Sequence, residues 1–403
     1  MQLELPRKLI ALVDQAHLVA SEVFRPISRK YDRAEHEYPV ELDMLASVMD
    51  GMNEGDSGPG VGAGQLKQER GGADDAVVRN GTNLATVLGF TELCWGDVGL
   101  ALTIPRQGLG NAAIAALANE DQRKRFKGRW IAMAITEPGA GSDSANIQTT
   151  AKLDGDHYIL NGEKIFITAG GRADAVVVWA TLDPSLGRTA IKSFVVEKGT
   201  PGMQLVRLDH KLGIRASDTA TILFSDCRVP KENLLGSPEI HSKQGFGGAM
   251  QTFDNTRPIV AAMALGVGRA ALERTRELLR QRGILGGYER ALFGSTAAEA
   301  ELYRMDAELE AARLLTLKAA WLADNGIPNS KEASMAKAKA GRVANYITLR
   351  CVQLCAACGV TETELLEKWA RDSKILDIFE GTQQIQLLII ARRLLGKSSQ
   401  ELR

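Results

Sequence analysis

The sequence predicts an α+β protein in three consecutive parts: an N-terminal helical domain over residues 1–128, an antiparallel β domain of barrel or sandwich type over 129–235, and a C-terminal helical bundle over 236–403. Three observations predict it. The apolar residues repeat with a helical period as far as about residue 127, then with a period of two or in short runs from Trp130 to Val229. Asp154-Gly155 and Asn161-Gly162 each sit between two such runs, where glycine supplies the positive φ of a tight hairpin turn. After Pro230 come four long amphipathic segments, the pattern of a bundle.

Taken in order, Leu9 to Val23, Asn83 to Leu102 and Gly110 to Leu117 carry the helical period. Between the first two, Gly51 to Asp75 holds Gly55, Gly58, Gly60, Gly62, Gly64, Gly71 and Gly72, too many for any regular element, and reads as a mobile surface loop. The expected strands are Trp130 to Thr136, His157 to Leu160, Lys164 to Thr168, Ala175 to Thr181, Ile191 to Glu197 and Thr219 to Phe224. The expected bundle helices are Phe253 to Arg282, Thr296 to Asn325, Glu332 to Cys358, and Leu365 to Leu395 with a break near Gly381.

Composition narrows the function. With 403 residues, 45% of them hydrophobic, and 49 Lys+Arg against 49 Asp+Glu, the chain has the make-up of a globular protein with no net field to attract nucleic acid or an anionic membrane. No run of about 18 apolar residues occurs, so no spanning helix is expected. Glu4, Arg7 and Lys8 stand where a signal peptide needs apolar residues, which predicts a cytoplasmic protein. Five cysteines are too few for a disulfide framework, and Cys355-Ala-Ala-Cys358 lies in an apolar helical context that favours buried structural thiols over a metal or redox site. His17, His36, His157, His210 and His241 form no ligand-spaced pair, so no metal is expected. Neither a Rossmann fingerprint nor a P-loop is present.

Three segments remain that could carry chemistry. Ala132 to Asp143 is an apolar strand that ends in Thr136 and a turn of small residues, Glu137-Pro138-Gly139-Ala140-Gly141-Ser142, where a planar ring could meet backbone N–H groups. Phe253-Asp254-Asn255-Thr256-Arg257-Pro258 puts two charges at the head of a long helix. In Ile378-Phe379-Glu380-Gly381-Thr382-Gln383-Gln384-Ile385-Gln386, a lone carboxylate follows two apolar residues, and burial there would raise its pKa toward that of a general base. Read singly, the first two are better taken as an ordinary turn and a surface ion pair, and the third is as readily an exposed glutamate.

Together, in this order and on an α–β–α layout, they strongly resemble the acyl-CoA dehydrogenase family over nearly the whole chain. The most specific matches are A-I-T-E-P-G-A-G-S-D from Ala134, L-N-G-E-K-I-F-I-T-A-G from Leu160, F-D-N-T-R-P from Phe253 and I-F-E-G-T-Q-Q-I-Q from Ile378. The resemblance implies an N-terminal helical domain, a middle antiparallel β-barrel and a C-terminal four-helix bundle, with FAD between barrel and bundle. It implies that Met133, Ile135, Thr136, Gly141 and Ser142 face the flavin, that Phe166, Ile167 and Thr168 cover its ring, and that Thr382 and Gln384 reach its pyrophosphate or ribityl part. Ser142, Asp254, Arg257 and Gly381 would contact the acyl-CoA substrate, and Glu380 would remove the α-proton. Some members carry the base on the helix near Asp254, but the matching position here is Thr256, which cannot serve.

Two departures concern the far end of FAD. The family's R-x-x-F-G reads Arg282-Gly283-Ile284-Leu285-Gly286, and its Q-x-x-G-G reads Gln353-Leu354-Cys355-Ala356-Ala357, with two methyl groups where close backbone approach is expected. The His-Gln pair that often follows the arginine is replaced within Tyr288 to Phe293. The implied function is dehydrogenation of an acyl-CoA to the trans-2-enoyl-CoA, with an electron-transferring flavoprotein as acceptor and a homotetramer or dimer as the assembly. A subunit of a heteromeric dehydrogenase with incomplete FAD sites, or a noncatalytic scaffold paralogue, is the alternative.

Overall fold

The computed structural model describes residues 6–53, 81–240, 247–284, 292–398 and 401. The glycine-rich segment from residue 54 onward lies outside the described residues. The chain opens with helix α1 (Arg7–Val19), which runs through a π-helical turn (Ala20–Phe24) into α2 (Arg25–Arg33), followed by α3 (Glu41–Asn53). Next come α4 (Thr82–Gly96), the short α5 (Val98–Ala101), α6 (Leu109–Leu117) and α7 (Glu120–Arg125). Local sequence explains some ends: Asn119 and Gln122 form a reciprocal capping box that starts α7. The start of α4 is capped from far away, because Asp324 accepts the N–H groups of Gly81, Asn83 and Leu84 at 2.8–3.0 Å and sets a negative charge against the helix N-terminus.

The middle third forms eight strands: β1 (Ile131–Ala134), β2 (Thr150–Asp154), β3 (His157–Thr168), β4 (Ala175–Thr181), β5 (Ile191–Glu197), β6 (Met203–Leu208), β7 (Thr219–Pro230) and β8 (Leu234–Leu235). The expected antiparallel barrel is not what they build. The sheet is mixed and open, in the order β6-β7-β3-β2-β4-β5-β8, with β1 as an extra partner of β4. On one edge β4 pairs with β5 along its whole length, and on the other it is shared by two parallel neighbours, β1 at Ala175–Val178 and β2 at Thr181. The sheet therefore forks at β4 and ends on β6 and on the two-residue β8, so no pair of edges closes it. Turn chemistry revealed the β2–β3 hairpin, whereas the parallel pairs join strands distant in sequence, which no local signal marks.

The two glycine pairs behave differently. Gly155, at φ 62°, makes the β2–β3 hairpin as expected, with Asp154 opposite His157. Asn161-Gly162 makes no turn: it lies within the 12-residue β3, at a bulge between Leu160 and Gly162 in the ladder to β7. A Cβ on Gly162 would lie 2.4 Å from Thr149 Oγ1, so the glycine serves close strand approach.

After residue 246 come α8 (Gly247–Arg280), α9 (Ala297–Asp324), α10 (Ser330–Cys355), α11 (Ala357–Val360), α12 (Leu366–Ser373), a 3₁₀ turn (Lys374–Asp377) and α13 (Gln383–Leu395). The break expected near Gly381 falls between the 3₁₀ turn and α13. Helix α8 begins well before Phe253, so Pro258 sits inside it and not in its first turn. N-terminal helices and bundle share one apolar core that runs from Leu9 and Phe24 through Leu100 and Ala261 to Ile347 and Trp369.

A buried charge cluster pins three parts of the chain together. Lys368 Nζ on α12 bonds Asp97 Oδ2 at 2.6 Å and Asp372 Oδ2 at 2.5 Å, and Ser28 Oγ donates to Asp97 Oδ2 at 2.5 Å. All four side chains are buried. Asp372 Oδ1 accepts the Ile214 N–H at 2.5 Å, and Arg371 Nη1 donates to the Leu212 carbonyl at 2.9 Å. The loop between β6 and β7 is thus docked on α12, shortly before the chain reaches Glu380.

Candidate active site

The predicted residues gather in two main groups, one on the sheet and one on the bundle. On the sheet side, Met133, Ile135 and Thr136 are partly buried at the end of β1, and the Thr136 carbonyl accepts the Ile165 N–H at 2.9 Å, which sets the Phe166 segment beside it. Phe166 is 63% exposed at φ 57°, in a bulge of β3. An exposed aromatic held in the left-handed region is a costly arrangement, of the kind kept at ligand sites. Thr168 is partly buried, whereas Ile167 is buried in the sheet core, where its side chain packs among apolar neighbours. Gly141 and Ser142 are exposed, and a Cβ on Gly139 or Gly141 would meet nothing within 4 Å.

What fixes this loop is a pair the sequence reading passed over. Lys164 Nζ lies 2.7 Å from Glu137 Oε1 and donates to the Ile135 carbonyl at 2.9 Å. Glu137 also accepts the Gln148 N–H at 2.6 Å, and the Thr149 N–H and hydroxyl at 2.9 and 2.5 Å. Both side chains are buried. Burial pulls the Lys164 pKa down to about 8 although Glu137 opposes it. For Glu137, burial pushes the pKa up, but the Lys164 ammonium and the backbone donors outweigh it and hold the carboxyl below its ordinary value. A depressed carboxyl pKa contributes stability above the ordinary glutamate range and loses it as pH falls through the folded-state value. Glu137→Gln is therefore expected to cost about 3 kcal/mol at neutral pH, the gap to the unmutated protein narrowing in acid. Urea denaturation at a series of pH values measures both. Nothing in the sequence marked this pair, because Glu137 sits in the turn after β1 and Lys164 within β3, 27 positions further on.

On the bundle side, Glu380 is partly buried in the turn before α13, at φ 56°, and Gly381 follows at φ 92°. Thr256 Oγ1 donates to Glu380 Oε2 at 2.9 Å. Burial raises the Glu380 pKa, against opposing effects of the Thr256 hydroxyl, Arg257 and Lys337. Arg257 is buried on α8. The Asp254 side chain lies outside the described residues. Thr382 caps α13 by accepting the Ile385 N–H, Gln384 is exposed, and Gln383 and Gln386 are buried.

A third, smaller group lies at the far end of the bundle. Arg282 Nη2 contacts Cys358 Sγ at 3.2 Å, which joins the arginine after α8 to α11, and Gln353 accepts a hydrogen bond from Arg350. Cys351 and Cys355 are buried free thiols and Cys358 is half-buried. Ala356 stands at φ 50°, ψ −121°, a conformation that L-residues rarely adopt. Ala356→Gly should relieve that strain and raise stability by about 1 kcal/mol, read as a higher denaturation midpoint. Elsewhere Glu35, His36 and His210 bring possible ligand atoms within 4.8 Å of one another, a meeting the sequence did not show. Glu35 is already engaged there, by His210 Nδ1 at 2.9 Å and the Lys211 N–H at 2.7 Å.

Comparison with known proteins decides the family. Residues 132–227 match the acyl-CoA dehydrogenase middle domain and residues 243–395 the acyl-CoA dehydrogenase C-terminal domain. The short-chain specific acyl-CoA dehydrogenase of Clostridium acetobutylicum is 37% identical over 335 residues, which cover 82% of this chain and 85% of that protein. The chain belongs to the acyl-CoA dehydrogenase family. It is an FAD-dependent acyl-CoA dehydrogenase, a flavoprotein oxidoreductase of fatty-acid metabolism. The solved butyryl-CoA dehydrogenase of Megasphaera elsdenii superposes with a TM-score of 0.82 at 33% identity, over 98% of this chain and 100% of that one. The mitochondrial short-chain specific acyl-CoA dehydrogenase of Bos taurus is 41% identical over 282 residues, 68% of this chain and 67% of that protein. That relative and its mouse and rat counterparts are mitochondrial, which overturns the cytoplasmic location expected from the sequence. Among the described residues, no helix of the dehydrogenase is long and apolar enough to cross a membrane.

The residues of the dehydrogenase fit FAD. The exposed Phe166 beside Thr136 offers a face to a planar ring, the open Gly139–Gly141 turn leaves room against the main chain, and the start of α13 presents N–H groups suited to phosphate.

Proposed function

We propose that Glu380 is the base that removes the α-proton of a short-chain acyl-CoA thioester. The observation that carries this reading is the Glu380 carboxylate itself: half-buried, in a turn of positive φ, its pKa raised by burial and its Oε2 held by Thr256. With Oε2 engaged, Oε1 is the oxygen assigned to the proton, and a base with a raised pKa is better matched to so weak a carbon acid. Bound FAD supplies the acceptor for the β-hydride and its two electrons. Met133, Ile135, Thr136, Gly141, Ser142, Phe166, Thr168 and the Ile167 main chain would hold its ring, Thr382 and Gln384 its pyrophosphate end, and Arg282 and Gln353 its far end. Ser142, Asp254, Arg257 and Gly381 would hold the thioester and CoA. The short-chain preference rests on the relatives, which are short-chain specific or act on butyryl-CoA. An electron-transferring flavoprotein as acceptor and a homotetrameric assembly complete the reading.

The test is an anaerobic titration of the flavin-loaded protein with butyryl-, octanoyl- and palmitoyl-CoA, followed by the visible flavin band. Bleaching at the lowest concentration with butyryl-CoA supports the proposal. Bleaching by the long thioesters alone would remove the short-chain assignment.

A further inference from the structure

Lys337 is a buried ammonium beside the proposed base that the reaction described above does not use. It lies on α10, fully buried, and its Nζ donates to the Gly381 carbonyl at 2.7 Å. Gln386, also fully buried, donates through Nε2 to the carbonyls of Glu380 at 3.2 Å and Gly381 at 3.1 Å. The two residues held in this way are those at φ 56° and φ 92°, and a glutamate in the left-handed region reverts to ordinary backbone unless its neighbours hold it.

The grip belongs to a longer contact. Lys337, Gly341 and Asn345 recur every four residues and share one face of α10. Asn345 Nδ2 donates to the Ser373 carbonyl at 2.9 Å, and a Cβ on Gly341 would come within 2.8 Å of the Leu376 carbonyl. The face thus meets the segment from Ser373 to Gly381 at three successive heights, with Lys337 at the end nearest the carboxylate.

We propose that Lys337 is a positioning residue for Glu380, which with Gln386 clamps the strained Glu380–Gly381 backbone and whose ammonium keeps the carboxylate ionised in its buried site. The proposal rests on the reading of Glu380 as the base. The charged groups that act on that carboxylate are Arg257 from α8 and Lys337 from α10, with the Thr256 hydroxyl as its direct donor, and Asp377 from the 3₁₀ turn faces Lys337 in turn. Burial draws the Lys337 pKa down to about 8 although Asp377 and Glu380 oppose it, so the group is cationic at neutral pH. A cation near a carboxylate lowers the carboxylate's pKa, and its loss must move the acidic limb of the activity to higher pH.

The experiment compares Lys337→Met, Lys337→Arg and Gln386→Leu in the flavin-loaded enzyme, with rates per bound flavin, a pH profile of kcat/KM and the thermal midpoint. For Lys337→Met, kcat should fall about tenfold or more with KM within about twofold, and the acidic limb should rise by roughly one pH unit. Lys337→Arg should return the limb to its original position, and Gln386→Leu should lower kcat without moving the limb. An unmoved limb in Lys337→Met, whether kcat is unchanged or falls only with the thermal midpoint, overturns the proposal. If that variant does not fold, unchanged kcat in both of the others overturns it. Glu380→Gln separates the two claims: full turnover there removes the base assignment, whereas an inactive Glu380→Gln beside an unaltered Lys337→Met removes only the positioning role.

Discussion

Glu380→Gln should leave folding and flavin content unchanged and slow flavin reduction by acyl-CoA between roughly 10²- and 10⁴-fold. The amide keeps the size of the carboxylate and can still meet the Thr256 hydroxyl at Oε1 or, flipped, at its nitrogen, so the turn at φ 56° has no reason to move. What is lost is the carboxylate proposed to take the proton. Stopped-flow mixing with butyryl-CoA under anaerobic conditions reads the rate directly. The pH profile of the unmutated enzyme adds a second check. Burial raises the Glu380 pKa, and a base must be ionised to act, so kcat/KM should rise with pH through a midpoint above the ordinary glutamate value of about 4.3. Fast reduction of the Gln variant would place the base elsewhere.

Lys368→Met is the substitution expected to cost most in stability, about 3–5 kcal/mol. It leaves Asp97 and Asp372 facing one another in a buried site with no cation between them. The loss has a structural reach, because Asp97 lies between α4 and α5 of the N-terminal helices, Lys368 and Asp372 on α12, and the Ile214 N–H bonded to Asp372 in the loop between β6 and β7. The triple variant Lys368→Met, Asp97→Asn, Asp372→Asn should recover much of the deficit, since the penalty comes from unpaired charge more than from lost attraction. Denaturant midpoints of the single and triple variants test both statements. An Lys368→Met protein as stable as the original would show that the cluster contributes nothing.

Much of the layout could be read from the chain. Ala175–Thr181 and Ile191–Glu197 match the expected strands end for end, because buried central strands are short apolar runs with clear boundaries. Strands β2 and β6 were missed for the opposite reason: their residues are mostly exposed and carry no alternation. The hairpin at Asp154-Gly155 was legible, whereas Asn161-Gly162 carries the same signal and makes a bulge. A glycine with positive φ serves either purpose, and the choice depends on what lies across the strand, here Thr149.

The candidate site divides in the same way. Glu380 stood out in the sequence as a lone carboxylate between apolar residues and a glycine. Thr256 entered there only as a position unable to hold the base, and the fold makes it the donor to Glu380 across 124 positions of chain. Lys337, Gln386, Glu137 and Lys164 gave no signal, because a lysine or glutamine in an amphipathic helix or a half-buried strand reads as a solvated residue until its burial is known.

The sequence by itself determined the order of helical and β segments and the family, and it singled out the carboxylate proposed as the base, since periodicity and short motifs are local properties. Only the tertiary structure decided that the sheet stays open with parallel pairs at β4, that Ile167 points into the core while Phe166 is exposed, and which buried cations face which carboxylates. These outcomes depend on residues far apart in the chain brought to within a few ångströms, where desolvation makes each charge answerable to its nearest partner.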